Sequence, residues 1–184
     1  MTKYIFLFCI GFLLCASCSE KKKDAENSVK TNDREADFGS LYQFYHSDPK
    51  TLEQKDENRI IEYLAENNME AVRTRSGVYI ANHIVGSGDS ILWGDPIRVD
   101  YKGYFLDGKE FDSSYKRNKP IEFRVGSMVS GWNEALPFLQ IGSKATFILP
   151  SHMGYGKKGF PGFVGPDEIL LFDMDILASL KKKQ

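Results

Sequence analysis

Between residues 97 and 105 apolar and polar side chains alternate, with Ile97, Val99, Tyr101 and Phe105 on one face, and Asp107-Gly108 follows at once. Period-2 alternation marks a strand buried on one side only. Asp-Gly is the dipeptide favoured in a type I′ hairpin turn, whose two central residues both need a left-handed backbone. The chain is therefore expected to return through residues 109–112 as an antiparallel neighbour. Ile121, Phe123 and Val125 repeat the alternation, and residues 77–85, 144–149 and 168–177 supply further strands. In the last of these Leu170, Phe172, Met174 and Ile176 share a face. Between residues 128 and 139 the period changes: Ser130 is placed to cap a short helix carrying Trp132, Ala135 and Leu136. Strands joined by turns rather than by crossover helices give an α+β fold, an antiparallel sheet wrapped around one short helix.

This domain is expected over residues 73–184. Ahead of it, residues 48–72 read as an extra N-terminal helix. Asp48 is placed to cap, Pro49 suits the first helical position, and Ile60, Ile61, Leu64, Ala65, Met69 and Val72 form one apolar stripe. A single stripe with a polar back points to packing on the domain, with pairing of two molecules as the alternative. Residues 19–40 hold eleven charged side chains and few large apolar ones, too little apolar surface to fold on, so residues 18–47 are expected to be a flexible tether. At the front, Lys3 precedes an uncharged, largely apolar run from Tyr4 to Ser19, stopped by Glu20-Lys21-Lys22-Lys23. A spanning helix needs about 20 apolar residues, and this shorter run has the layout of an export signal over residues 1–17. It ends in Cys15-Ala16-Ser17-Cys18, which resembles a bacterial lipobox. That likeness implies lipidation of Cys18, palmitate included, and anchoring to the inner or outer membrane of a cell envelope, facing the periplasm or the cell surface.

Composition narrows the chemistry. Lysine and arginine number 24 against 25 aspartates and glutamates, so no basic face is expected for nucleic acid. The cysteines (Cys9, Cys15, Cys18) all lie in the first eighteen residues, which leaves the rest without a thiol for a disulfide, a zinc site or a nucleophile. His46 and His83 stand outside any metal-ligand spacing, and no metal is expected. Gly86-Ser87-Gly88 lacks the third glycine and following helix of a dinucleotide loop. Ser151 and His152 are adjacent on an extended segment and point apart, with no nucleophile elbow around them. No cofactor of any kind is expected.

Five segments in order resemble the FKBP-type peptidyl-prolyl isomerases. They are Val99-Asp100-Tyr101-Lys102-Gly103-Tyr104-Phe105 with Asp107-Gly108-Lys109-Glu110-Phe111-Asp112-Ser113-Ser114; Asn118-Lys119-Pro120-Ile121-Glu122-Phe123 with Val125-Gly126; Val129-Ser130-Gly131-Trp132-Asn133-Glu134-Ala135; Gly154-Tyr155-Gly156; and Leu170-Leu171-Phe172-Asp173-Met174. The likeness covers roughly residues 76–178. With an export signal and a helix in front, the chain further resembles the lipoprotein form of the family in Bacteroidetes, and residues 150–156 are similar to a gliding-motility isomerase of that group.

The resemblance implies a prolyl cis/trans isomerase acting on proline-containing segments of exported proteins, with macrolide inhibitors as further ligands of the same pocket. It implies catalytic roles for Asp112, Tyr155, Trp132, Phe111 and Val129. Trp132 would be the floor beneath the proline ring, Phe111 a contact beside the preceding carbonyl, and the Tyr155 hydroxyl and Val129 N–H donors to substrate carbonyls. Asp112 would orient its neighbours rather than move a proton. Substrate contacts would come from Tyr101, Phe123 and Phe172 as walls, Met128 as an adaptable rim, and Phe163 and Val164 on the overhanging loop 157–166. Trp132 and Tyr155 are expected to border one solvent-open apolar pocket. The rival reading is an FKBP-like module that holds proline segments, or docks on an envelope complex, without turnover.

Overall fold

Each strand of the sheet runs antiparallel to its neighbours, in the order β1-β2-β6-β7-β3-β4 with β5 also paired to β3. A computed structural model describes residues 39–182, with α1 Gly39–Tyr42, α2 Leu52–Glu66, β1 Ala71–Arg73, β2 Tyr79–Ile84, β3 Pro96–Tyr104, β4 Glu110–Ser113, β5 Ile121–Arg124, α3 Ser130–Ala135, β6 Lys144–Leu149 and β7 Leu170–Ser179. β3 is the organising strand. One edge pairs along its length with β7, while the other is shared, β5 taking residues 96–99 and β4 residues 102–104.

Alternation sorts the side chains into two cores. Val78 and Ile80, Ile97, Val99 and Tyr101, Ala145, Phe147 and Leu149, and Leu170, Phe172, Met174 and Ile176 point to one face, where they meet Trp132, Ala135 and Leu136 of the α3 segment. Tyr79, Ala81, Ile148 and Leu171 point to the other, where Ile60, Ile61 and Leu64 of α2 cover them. The sheet thus lies between a short helix on the site side and the N-terminal helix behind. Leu64 is fully buried in the rear core, and Leu64→Ala is predicted to destabilise the domain by about 2–5 kcal/mol through lost transfer energy and a residual cavity. Urea denaturation measures this; a loss below about 1 kcal/mol would mean that α2 is only loosely seated.

The limits of α2 differ from the sequence expectation of 48–72. Its cap is Thr51, whose hydroxyl accepts the Gln54 N–H at 3.3 Å while the Gln54 side chain accepts the Thr51 N–H at 3.2 Å. This reciprocal pair satisfies two orphan donors at once, and Asp48 instead bonds to Lys50 outside the helix. The helix stops at Glu66, Asn68 takes a left-handed backbone, and Val72 sits exposed on β1 opposite Ile80 rather than on the stripe. The tether also ends earlier than expected. Leu41 of α1 is buried in the rear core with Phe44 packed beside it, and the His46 backbone exchanges two 2.8 Å hydrogen bonds with the Asn58 side chain. Residues 39–47 therefore fold onto the domain, because Leu41 and Phe44 supply the apolar contact the charged stretch lacks. The expected signal over residues 1–17, Cys18 and the tether up to residue 38 lie outside the described residues.

The β3–β4 hairpin is closed by another turn than type I′. Of its loop residues only Gly108 has positive φ, the Gly108 N–H bonds to the Phe105 carbonyl at 2.9 Å, and the Phe105 N–H bonds to the Lys109 carbonyl at 3.0 Å. Three residues close the loop, and Gly108 alone takes the left-handed position. Between Gly103 and Tyr104 the register shifts, with Phe111 the extra residue on β4, and Phe105 packs against its ring.

Candidate active site

Trp132 enters the front core from α3 and is enclosed by rings from three strands. Its centroid lies 5.1 Å from Tyr101 on β3, 5.7 Å from Phe123 on β5 and 5.0 Å from Phe172 on β7, with Tyr101 and Phe172 nearly edge-on. Aromatic quadrupoles favour these arrangements. Phe111 extends the cluster, edge-on to Phe172 at 5.6 Å and 5.0 Å from Phe105. Gly103 makes room for it: a Cβ there would fall 2.7 Å from the Phe111 ring and 3.0 Å from Phe172. That is why the inward alternation on β3 skips from Tyr101 to Phe105.

The polar member is a three-residue network. The Tyr101 hydroxyl and the Arg117 guanidinium both donate to the Asp112 carboxylate, Arg117 also donates to the Tyr101 oxygen at 2.9 Å, and the Ser113 N–H bonds Asp112 at 2.8 Å. Ser114 fixes Tyr101 from behind, its hydroxyl accepting the Tyr101 N–H at 2.9 Å and donating to Asp100 at 2.6 Å. Burial pushes the Asp112 carboxyl up, but donation from Tyr101 and Arg117 and the Arg117 charge outweigh it, so Asp112 is held below the usual carboxylate range. The Tyr101 phenol is pushed up to about 12 by burial and then by its bond to Asp112.

A depressed carboxyl stabilises the fold above its ordinary range and loses that contribution as pH falls through the depressed value. A raised phenol contributes below its ordinary value near 10 and loses it only as pH rises through about 12. Both windows overlap across neutrality. The activity attached to this network is therefore predicted to be flat from about pH 5 to 9; a pH–rate profile with an inflection between about 6 and 8 would contradict it.

The rim carries the exposure. Phe111, Phe123, Met128, Val129 and Tyr155 are half-buried and packed against the core. Val129 is the N-cap of α3, and its own N–H has no bonded partner among the described residues. The Tyr155 hydroxyl is likewise unpaired among them, its pKa raised by burial and then by the Asp112 charge. Asn133 ties down the loop before α3, accepting the Gly126 N–H at 2.9 Å and the Met128 N–H at 3.2 Å and donating to the Met128 carbonyl at 2.6 Å. Ser130 makes no capping bond. Phe160 stacks between Tyr155 (5.3 Å) and Phe163 (5.0 Å), so the ring series runs outward from the rim to Phe163, which is 57% exposed.

Two positions differ from the expected open pocket. Trp132 is only 2% exposed, because Tyr101, Phe123 and Phe172 close over its ring, so the floor is sealed rather than solvent-open. Val164 is turned into the core, not onto the loop surface, since its N–H and carbonyl both bond Phe160 at 2.8 Å in a tight hairpin. The remaining expected residues (Tyr101, Phe111, Asp112, Phe123, Met128, Val129, Tyr155, Phe172 and, at the outer end, Phe163) come together around one rim. Arg117 and Asn133 were not legible. Arg117 stands in a polar turn with no periodicity, closed by its own N–H bonding to the Ser114 carbonyl at 3.1 Å and by a left-handed backbone at Asn118.

The sequence profile of the FKBP-type peptidyl-prolyl cis-trans isomerases matches residues 89–177. The FKBP-type peptidyl-prolyl cis-trans isomerase FkpA of Escherichia coli is 40% identical over 92 residues, 50% of this chain and 34% of FkpA, so the chain spans about a third of that relative. A peptidyl-prolyl cis-trans isomerase of Schizosaccharomyces pombe is 41% identical over 92 residues, 49% of this chain and 82% of the relative. The crystal structure of E. coli FkpA aligns with a TM-score of 0.61 at 28% identity, covering 77% of this chain and 63% of that one. Motif order, ring cluster and sheet topology converge on one conclusion: the chain belongs to the FKBP-type peptidyl-prolyl cis-trans isomerase family.

Proposed function

We propose that this chain accelerates cis/trans interconversion of X-Pro bonds in exported or cell-envelope proteins while held to a membrane by a lipid on Cys18. The observation that carries the catalytic reading is the rim itself: half-buried rings above Trp132, with the Tyr155 hydroxyl and the Val129 N–H, both without a bonded partner among the described residues, beside the Asp112 network. Rotation about an X-Pro bond breaks imide conjugation over a barrier of about 18–20 kcal/mol. In the twisted state the carbonyl is less polarised and loses less by leaving water, so an apolar rim favours that state over the planar one. A gain of about 7 kcal/mol gives roughly a 10⁵-fold acceleration. Proline enters between Phe123 and Phe111, Tyr155 and Val129 hold the flanking carbonyls, and Asp112 keeps the Tyr101 ring in place. No proton is transferred.

The anchor rests on the apolar run before Cys15-Ala16-Ser17-Cys18 and on the charged stretch after it, and it places the domain on the envelope side of a membrane. The likeness to Bacteroidetes lipoproteins and the affinity for macrolides belong to this same reading. The sealed Trp132 floor favours a second reading, a module that holds proline segments without turnover. Refolding of a secreted protein limited by proline isomerisation separates the two: the slow phase is predicted to accelerate in proportion to added chain. A slow phase of unchanged rate with the client bound would leave only the holding role.

A further inference from the structure

Asp56 is a carboxylate on the inward face of α2, 1% exposed, on a helix whose other buried side chains are mainly Ile60, Ile61 and Leu64. Among the described residues it makes one hydrogen bond: Oδ2 accepts the Ser151 N–H at 2.9 Å, from a residue 95 positions later. Its Oδ1 and the Ser151 Oγ are buried there without partners. A buried carboxylate is costly, and an aliphatic residue would suit this face better unless the one bond has a use. Ser151 opens the 3₁₀ turn Ser151–Met153, closed by Met153 N–H to the Pro150 carbonyl at 2.9 Å and Gly154 N–H to the Ser151 carbonyl at 3.1 Å. The next residue is Tyr155. On its far side the Gly156 carbonyl accepts the Asp167 N–H at 2.9 Å. The segment bearing Tyr155 is therefore held at its start by α2 and at its end by the overhanging loop.

We propose that Asp56 is a positioning residue for the candidate active site, fixing through the Ser151 N–H the turn that presents the Tyr155 hydroxyl to substrate. The inference rests on the isomerase reading. It makes α2 part of the working site, since the N-terminal helix sets the geometry of a donor on the opposite side of the sheet.

The test uses the full-length chain in detergent micelles, with catalysed cis/trans exchange of an X-Pro peptide followed by NMR. Asp56→Ala is expected to raise KM about tenfold with kcat little changed, because a misplaced Tyr155 loses contact with planar and twisted substrate alike. A merely structural loss would lower the folded fraction and so reduce kcat at constant KM, which would overturn the proposal. In a Tyr155→Phe background Asp56→Ala should have little further effect; full additivity would overturn the coupling. Asp56→Asn keeps an acceptor for the Ser151 N–H and is expected to keep the parent's KM. If Asp56→Ala does not fold, Asp56→Leu, which fills the buried site but offers no acceptor to the Ser151 N–H, decides: a raised KM in folded Asp56→Leu supports the proposal, and an unchanged one overturns it. A parent that gives no acceleration defeats the isomerase reading itself, whereas an active parent whose folded Asp56→Ala or Asp56→Leu variant keeps the parent's KM defeats only this inference.

Discussion

Trp132→Ala is expected to lower kcat/KM for an X-Pro peptide by about a hundredfold or more and to destabilise the domain by about 3–5 kcal/mol. Both effects have one origin. The indole is the common contact of Tyr101, Phe123 and Phe172, so its removal leaves a cavity beneath all three rings and unfixes the walls. Trp132→Leu fills part of that cavity and separates the effects, with stability partly restored and kcat/KM still reduced at least tenfold, about 1.4 kcal/mol of barrier. Urea denaturation and peptide exchange measure the two terms. A folded Trp132 variant with the parent's kcat/KM would remove the indole from the site.

Asp112→Ala is expected to divide the two effects, with a large one on turnover and a small one on stability. The carboxylate is about a third exposed, at 35% of its side chain, and Arg117 is more so at 45%. Arg117 can return to water when its partner is lost, and the cost in stability is about 1 kcal/mol. Tyr101 has no such freedom: its ring is wedged against Trp132 and Phe172, and its hydroxyl loses its acceptor. The expected fall in kcat/KM is tenfold to a hundredfold, roughly 1.4–2.7 kcal/mol. Asp112→Asn, which keeps an acceptor but not the charge, should fall between. Equal kcat/KM in parent and Asp112→Ala, at a rate well above the uncatalysed one, would show that the network serves only the fold.

Where one face of a strand decided the outcome, the sequence was readable. Ile97, Val99 and Tyr101 on β3, and Leu170, Phe172, Met174 and Ile176 on β7, alternate because their opposite faces meet α2 or solvent, and period 2 records that directly. The rings that gather around Trp132 were legible as a site only through the family resemblance of the segments that carry them; by alternation alone they read as core. Features set by a single bond between distant segments were not legible. Thr51 caps α2 in place of Asp48 because Gln54, three residues on, returns a bond to the Thr51 N–H. Arg117 reaches Asp112 through a turn with no pattern of its own, and Asp56 meets Ser151 across 95 residues. The closure over Trp132 had no local signal either, since it depends on how far rings from three strands lean together.

The central claim, catalysis of X-Pro rotation at this rim, is tested most directly by two-dimensional exchange NMR on an Ala-Leu-Pro-Phe peptide with a substoichiometric amount of the full-length chain in detergent. The account predicts cis–trans exchange cross-peaks on the sub-second scale, where the uncatalysed bond takes tens of seconds or longer, and their strong reduction in folded Trp132→Leu. Exchange at the uncatalysed rate with a correctly folded parent would contradict it.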